Sequence, residues 1–203
     1  MTPVYKLSAN SVKNGRTVYG SMLAGNTAFK LSSFESIATV TVGSGGTSEI
    51  NFNSIPSTYN HLQLRGIYRD TWSVTGFGEF YLYPNNSTSA LYADHYLQGD
   101  GSAVSAVGLA NRSDGMFLGQ GVRNGSAANT FGSFVVDILD YKDTNKFKTA
   151  RALSGVDLNG SGIVLLQSAL WRSTDAITSF KLTPNGVGFA QYSSFALYGI
   201  KSA

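Results

Sequence analysis

The sequence of 203 residues contains no cysteine, only two histidines and only 13% charged residues. Without cysteine, the chain cannot form disulfides, use a thiolate nucleophile or hold a metal through sulfur. Nucleophilic catalysis requires a base beside the nucleophile. His61 and His95 are the two imidazoles, and the sequence contains no Gly-x-Ser-x-Gly elbow. These absences argue against a hydrolase of the serine or cysteine type.

Acid–base chemistry has few candidate residues. Asp94 and His95 are adjacent, but neighbouring residues of a strand point to opposite faces, so an extended segment would keep them apart. Glycoside cleavage requires two carboxylates about 5 to 10 Å apart. No pair among the acidic residues stands in a recognisable sequence context, so we expect no catalytic residues. The acids considered are Asp70, Glu79, Asp94, Asp100, Asp137 and Asp157.

Metals, cofactors, nucleic acid and membranes are not expected partners. The chain has no His-rich, Cys-rich or EF-hand spacing. Its formal net charge is only +3, and its most basic cluster, predicted to be a solvated loop, is small. No apolar run approaches the roughly 18 residues of a membrane span. The basic cluster consists of Lys142, Lys146, Lys148 and Arg151.

The residues that are abundant indicate an all-β protein. There are 23 glycines, 11 tyrosines and 12 phenylalanines. From residue 37 onward, short runs with period-2 alternation are separated by Gly, Asn and Ser turns, which indicates nine or ten strands. Asn-Gly pairs at 124–125, 159–160 and 185–186 indicate hairpins. We therefore predict an antiparallel β-sandwich of the jelly-roll type, with an extended N-terminal arm.

The alternation also predicts the core. Apolar side chains at every second position of a strand face the same side of a sheet. Most of the larger aromatic residues are also expected in the core. The predicted core positions in strands are Leu62, Leu64, Phe134, Val136, Ile138, Phe180, Leu182, Phe195 and Leu197.

Two motifs carry a family resemblance. Residues 55–69 read IPSTYNHLQLRGIYR, and residues 192–201 read YSSFALYGIK. Pro56 marks the entry to a strand, and Tyr59 is placed to pin that corner through its hydroxyl. Together the motifs resemble a family of small structural proteins from the virions of tailed bacteriophages. These proteins carry similar IPxTYxxLxLR and SxFxLYGI motifs, and the resemblance covers residues 37–201.

The resemblance implies a non-enzymatic virion protein that is synthesised in the host cytoplasm. Within that class we favour a head decoration, or cement, protein whose partner is the capsid surface. One alternative is a tail-fibre or tail-tip module that recognises host glycans, and another is a capsular polysaccharide depolymerase. By analogy with phage surface proteins, we expect a homo-oligomer, most simply a trimer.

Two regions of the chain are distinguishable. Residues 1–35 are polar and without a firm period, and we expect them to form an arm for attachment or assembly. Residues 36–203 are expected to form the sandwich. The apolar residues of the arm, expected to anchor it in a groove of another subunit, are Val4, Tyr5, Val18, Tyr19, Met22 and Leu23.

Three residues are expected at the surface or at an interface. Arg65 and Arg69 share the polar face of one predicted strand, where they would form surface or intersubunit contacts. Trp72 is an aromatic side chain just beyond that strand. Exposed aromatic and arginine side chains are common at interfaces. The predicted surface residues are therefore Arg65, Arg69 and Trp72.

Overall fold

The computed structural model describes residues 33–201, and within them all regular secondary structure is β-strand. No helix in this part of the chain is long and apolar enough to span a bilayer. The strands are β1 (Phe34–Thr41), β2 (Ile50–Phe52), β3 (His61–Tyr68), β4 (Phe77–Pro84), β5 (Tyr92–Gly99), β6 (Val104–Arg112), β7 (Met116–Val122), β8 (Gly132–Leu139), β9 (Lys148–Asp157), β10 (Gly162–Trp171), β11 (Phe180–Pro184) and β12 (Ser194–Ile200).

These strands form two antiparallel sheets. The larger sheet has eight strands in the order β1-β12-β3-β8-β9-β10-β5-β6, and the smaller has four in the order β2-β11-β4-β7. The hairpins β5–β6 and β9–β10 both extend the larger sheet. Without them, the orders become β1-β12-β3-β8 and β2-β11-β4-β7, and the chain crosses between sheets at every step except β4 to β7. This is the strand order of a jelly roll, as the sequence predicts.

The core lies between the two sheets, and the strand alternation predicts it correctly. Leu62 and Leu64 of β3 are fully buried, as are Val136 and Ile138 of β8. The other predicted core residues are also buried, with Phe134 the most exposed at 5%. Burying each such side chain stabilises the fold by about 1.5–3 kcal/mol. These other residues are Phe134, Phe180, Leu182, Phe195 and Leu197.

The edge strand β7 is buried on both of its faces. Met116 and Leu118 join the main core, while Phe117 and Val122 join a second apolar cluster with residues of β9 and β10. The ring of Tyr96, on β5, packs edge-on against Phe117 with centroids 5.2 Å apart. The larger sheet therefore curls around β7, and the two added hairpins extend the core beyond the basic jelly roll.

The predicted domain start falls inside a strand. β1 begins at Phe34, which pairs with Ile200, and Glu35 pairs with Gly199. The boundary at residue 36 is therefore two residues late for the sheet. The predicted arm anchors lie outside the described residues. They are Val4, Tyr5, Val18, Tyr19, Met22 and Leu23.

The turn signals are only partly correct. Asn159 and Gly160 have positive φ values of 57° and 112° and connect β9 to β10 as a hairpin. The pairs at 124–125 and 185–186 instead lie in connections that pass from the four-stranded to the eight-stranded sheet. An Asn-Gly pair favours a local turn, whereas packing of the core determines which strand the following strand pairs with.

The two family-like motifs become neighbouring strands. The first supplies β3 and the second supplies β12, and the strands pair antiparallel with Leu64 opposite Leu197. The predicted role of Tyr59 is confirmed, because its hydroxyl donates a hydrogen bond to Glu35 Oε2 at 3.1 Å. The motifs therefore form the second and third strands of the larger sheet, next to the edge strand β1.

Candidate interaction surface on the eight-stranded sheet

The larger sheet has an outer face, turned away from the core, whose side chains are in register across five strands. β8, β9, β10, β5 and β6 pair so that one apolar residue from each lies in a continuous line. Directly opposed residues in a sheet have neighbouring side chains. This middle row consists of Val135, Leu153, Leu166, Leu97 and Ala106.

The rows on either side of the middle row differ in character. The first row is small or apolar and consists of Ser133, Gly155, Val164, Gly99 and Val104. The third row is more polar and consists of Asp137, Arg151, Ser168, His95 and Gly108. These three rows are called the outer face below.

The apolar side chains of the outer face are unusually accessible. Exposed fractions are 73% for Val104, 58% for Val164, 52% for Leu166, 49% for Leu153 and 47% for Leu97. Single exposed apolar residues are normal on proteins, but contiguous apolar patches mark interaction sites. The outer face therefore has the character of a docking surface.

The polar border of this face is held by its own hydrogen bonds. Arg151 Nη2 donates to Asp137 Oδ2 at 3.1 Å, and Gln63 Nε2 donates to Asp137 Oδ1 at 2.7 Å. Gln63 in turn accepts a hydrogen bond from Arg65 Nε. The predicted surface residue Arg65 is exposed, and its guanidinium carbon lies 5.1 Å from the ring centroid of Phe34. These contacts connect the polar border of β8 and β9 to β3.

A depression of about 640 Å³ borders the first row, and two smaller shallow depressions lie within the outer face. One, of about 360 Å³, is lined by Ser133, Gly155 and Val164 of the first row together with Val135 and Leu153. The other, of about 610 Å³, is lined mainly by middle-row and third-row residues of β9, β10, β5 and β6. Both arise where glycine, alanine or serine replaces a larger side chain. The face therefore has raised and recessed positions.

Arg69 departs from the sequence prediction. It is only 7% exposed, because the loop of residues 124–130 lies over the end of β3. Its Nη1 donates to the carbonyl of Ala127 at 2.8 Å, and its Nη2 donates to the carbonyls of Asn124 and Ser126 at 2.8 and 2.7 Å. Arg69 is therefore a buried structural residue that holds this loop, not a surface residue.

Trp72 lies at the surface, with 40% of its side chain exposed. The guanidinium of Arg123 stacks over its ring at 4.4 Å from the centroid. Its backbone N–H donates to Asp70 Oδ1 at 2.9 Å. Trp72 is thus accessible but already has a cationic partner. Three other large aromatic side chains are buried, as expected (Tyr81, Tyr92 and Trp171), and two are half-buried (Tyr83 and Tyr96).

The structure separates Asp94 from His95, as expected of neighbouring strand residues. His95 is exposed on the outer face, while Asp94 is 1% exposed beneath β7. Asp94 Oδ1 accepts a hydrogen bond from the backbone N–H of Phe117 at 3.1 Å, and its Oδ2 has no hydrogen-bond partner. Burial raises the pKa of Asp94 to about 7, although Arg112 Nε, 3.9 Å from Oδ2, opposes this. Asp94 has no access to a substrate.

The remaining acidic candidates all have structural partners. Asp100 Oδ1 accepts from the backbone of Ser102 and Ala103, which holds the pKa of this carboxyl at about 2. Glu79 Oε2 accepts from the Tyr81 hydroxyl at 2.6 Å. Within residues 33–201, no three His, Cys, Asp or Glu side chains are grouped to hold a metal ion.

The predicted basic cluster does not form one solvated patch. Lys148 is fully buried and donates to the carbonyls of Asp143, Lys146 and Thr174 at 2.6, 2.8 and 3.1 Å. Lys146 pairs with Asp140 at 2.7 Å, and Arg151 belongs to the outer face. The alternation of β9 turns Lys148 inward, where neighbouring carbonyls satisfy its ammonium.

Sequence reasoning missed the outer face as a site. A signal was present in Ile163-Val164-Leu165-Leu166, where an unbroken apolar run places apolar side chains on both sides of β10. The alignment of rows across strands depends on register, which links residues distant in sequence. It is therefore visible only in the folded sheet.

No family model matches this chain, and no curated protein matches it. Among solved structures, one similarity is to the crystal structure of SCLam, a non-specific endo-β-1,3(4)-glucanase from family GH16. The two chains are 10% identical, with a TM-score of 0.23, over 75% of this chain and 63% of that chain. This chain thus spans less than two thirds of that structure. A TM-score this low supports no conclusion about fold or activity, and the jelly-roll assignment rests on strand order alone.

Proposed function

We propose that this protein is a non-enzymatic structural component of a tailed-phage virion, and specifically a head decoration protein that binds the capsid surface. The resemblance of residues 55–69 and 192–201 to virion proteins supports the setting. The structural observation that carries the proposal is the outer face, a five-strand apolar surface on a rigid jelly roll. Such a face suits a protein that works by assembly.

The two regions of the chain have different roles in this proposal. The arm, residues 1–33 once the start of β1 is taken into account, attaches the protein to its particle through its apolar anchors. The sandwich then presents surfaces to neighbouring copies. Fully extended, 33 residues span about 110 Å at about 3.3 Å each, which is ample to reach a neighbouring subunit. The oligomer implied by the resemblance is a trimer.

The first test removes the arm. A chain beginning at Ser33 keeps all twelve described strands, so we expect it to fold and to unfold in a cooperative thermal transition. Mixed with particles that lack this protein, the full chain should co-sediment with them, and the shortened chain should stay in the supernatant. Equal binding by the two chains would contradict attachment through the arm.

The second test locates the protein. In a reconstruction of the intact particle, the proposal places the jelly roll on the head. Density at the tail tip, together with retention on host glycans, would instead identify a receptor-binding module. Cleavage of host capsular polysaccharide by the purified chain would contradict the non-enzymatic assignment.

A further inference from the structure

We propose that the outer face binds a second copy of this chain about a two-fold axis that runs along the middle row. The inference rests on the proposed function only in taking the outer face as an assembly surface. It names the partner for that surface and the register in which the two copies meet.

The outer face is expected to fit a second copy of itself because large and small residues are paired along each of its strands. Every one of the five strands contributes one residue to each row, and in each strand one flanking residue is large while the other is small. When a second copy of such a surface is rotated by 180° so that its strands run in the opposite direction, each large residue faces a small one. The pairs, large residue first, are Asp137 and Ser133, Arg151 and Gly155, Val164 and Ser168, His95 and Gly99, and Val104 and Gly108.

The two-fold operation brings these pairs together. A rotation of 180° about the middle row reverses the direction of each strand, so the third row of one copy lies over the first row of the other. Arg151 then faces the partner copy's position 155, where the residue is glycine, and Val164 faces position 168, where it is serine. A two-fold contact uses the same patch on both copies, so each match occurs twice.

The middle row meets itself in this arrangement. Leu166, on the central strand of the five, lies at the centre of the contact and opposes its own counterpart. Sheets that pack face to face in this way bury interdigitated apolar side chains about 10 Å apart. The depression of about 360 Å³ beside Gly155 provides room for the Arg151 stem.

Charge and area are compatible with this contact. Arg151 carries its own counter-ion in Asp137, at 3.1 Å, and the first row of the facing copy contains no charged residue. No like charges are therefore opposed. The larger sheet curls around β7, so two outer faces meet most closely at their central strands. Three rows across five strands of a flat sheet would cover about 500 Å² per copy. The contact therefore buries at most about 1,000 Å² in total, the size of a weak and reversible interface.

The first experiment measures mass. Sedimentation velocity of the full chain over a concentration series should show a reversible doubling of mass, from monomer to dimer or from trimer to hexamer. Leu166→Glu places two carboxylates opposite each other at the centre of the contact and should weaken association at least about tenfold. Val74→Glu adds the same charge at a 43% exposed valine outside the face and should leave association unchanged. Equal weakening in both variants, or in neither, would overturn the proposal.

The second experiment determines the register by cross-linking introduced cysteines. The chain has no native cysteine, so every cross-link involves an introduced residue. With a bis-maleimide cross-linker of about 8 Å, Leu166→Cys should form a covalent dimer by itself, because opposed residues of sheets about 10 Å apart are too distant for a disulfide. Val164→Cys and Ser168→Cys should each remain uncrosslinked alone but form a mixed dimer when combined. Self-crosslinking of Ser168→Cys in place of the mixed dimer would mean a different axis and would overturn the register.

The outcomes separate this inference from the proposed function. Particle binding depends on the arm, so Leu166→Glu should still co-sediment with particles even where it no longer self-associates. A Leu166→Glu variant with the same mass as the full chain at every concentration would overturn the two-fold contact while leaving decoration intact. Loss of particle binding by the armless chain, with its self-association retained, supports both.

Discussion

The ring of Tyr59 lies directly over Gly199, so closely that a methyl group at position 199 would overlap the ring atoms. The hydroxyl of Tyr59 donates to Glu35, whose other oxygen accepts from Lys201 Nζ at 2.7 Å. The Lys201 ammonium also lies 5.5 Å from the centre of the tyrosine ring. The two motifs thus tie β1, β12 and the entry to β3 together at one corner.

This contact predicts the effect of a methyl group. Gly199→Ala should lower the free energy of unfolding by about 1–3 kcal/mol, because the added carbon displaces the Tyr59 ring. Gly43→Ala is the control, since a methyl group there meets nothing within 4 Å. Urea denaturation of both variants measures the difference. Equal stability of the two would mean that the ring moves aside without cost.

Removal of the Arg69 guanidinium should be strongly destabilising. Arg69→Met removes a buried guanidinium and leaves the carbonyls of Asn124, Ser126 and Ala127 without their charged donor, at a cost of about 3 kcal/mol. The loop of residues 124–130 should then be cleaved faster in limited proteolysis. Arg65→Met makes the same change at an exposed position and should cost less than about 1 kcal/mol. A loss of stability in the Arg69 variant as small as that in the Arg65 variant would mean that Arg69 acts as an ordinary surface residue.

Asp94 should make stability depend on pH. Its pKa is raised from 3.8 to about 7 by burial, so between these values the folded state binds more protons than the unfolded state. The free energy of unfolding should therefore fall as pH rises through this window, by at most about 1.4 kcal/mol per pH unit from this group.

Asp94→Asn should remove this dependence, because an amide does not titrate. Its side-chain oxygen can still accept the hydrogen bond from the backbone N–H of Phe117. The variant should be more stable than the wild type at pH 8, as measured by urea midpoints between pH 4 and 8. Asp175→Asn, at an exposed position, should keep the wild-type profile. A steeper fall in the Asp94 variant would mean that the Arg112 attraction, not burial, controls this carboxyl.

Lys148 should prove as important as a core residue. Lys148→Met fills the same space but leaves three carbonyls without their donor, so we expect a loss of about 2–4 kcal/mol. Lys146→Met, where the side chain is 58% exposed, should change stability by less than about 1 kcal/mol. Thermal unfolding of the two variants gives the comparison. Near-equal midpoints would indicate that the buried ammonium contributes little.

The local pattern of the sequence determined most strands and the side of each that faces the core. Phe134, Val136 and Ile138 occupy every second position of β8, and a strand has only two faces, so the sequence predicts that they share one face. The pattern failed at β6, Val104–Arg112. Its small and polar residues carry little strand preference, and its pairing with β5 decides its structure.

The tertiary structure decided what the chain presents to other molecules. Arg69 follows the outward period of β3, yet a loop more than fifty residues away covers it. The candidate site shows the same limit, since Leu153, Leu166 and Leu97 belong to three strands and become neighbours only through register. The hydrophobic period of a strand depends on residues that are close in sequence. The register between strands, and the covering of a side chain by a distant loop, depend on the packing of the whole core. The sequence therefore determined the sandwich, and only the folded sheet determined its outer face.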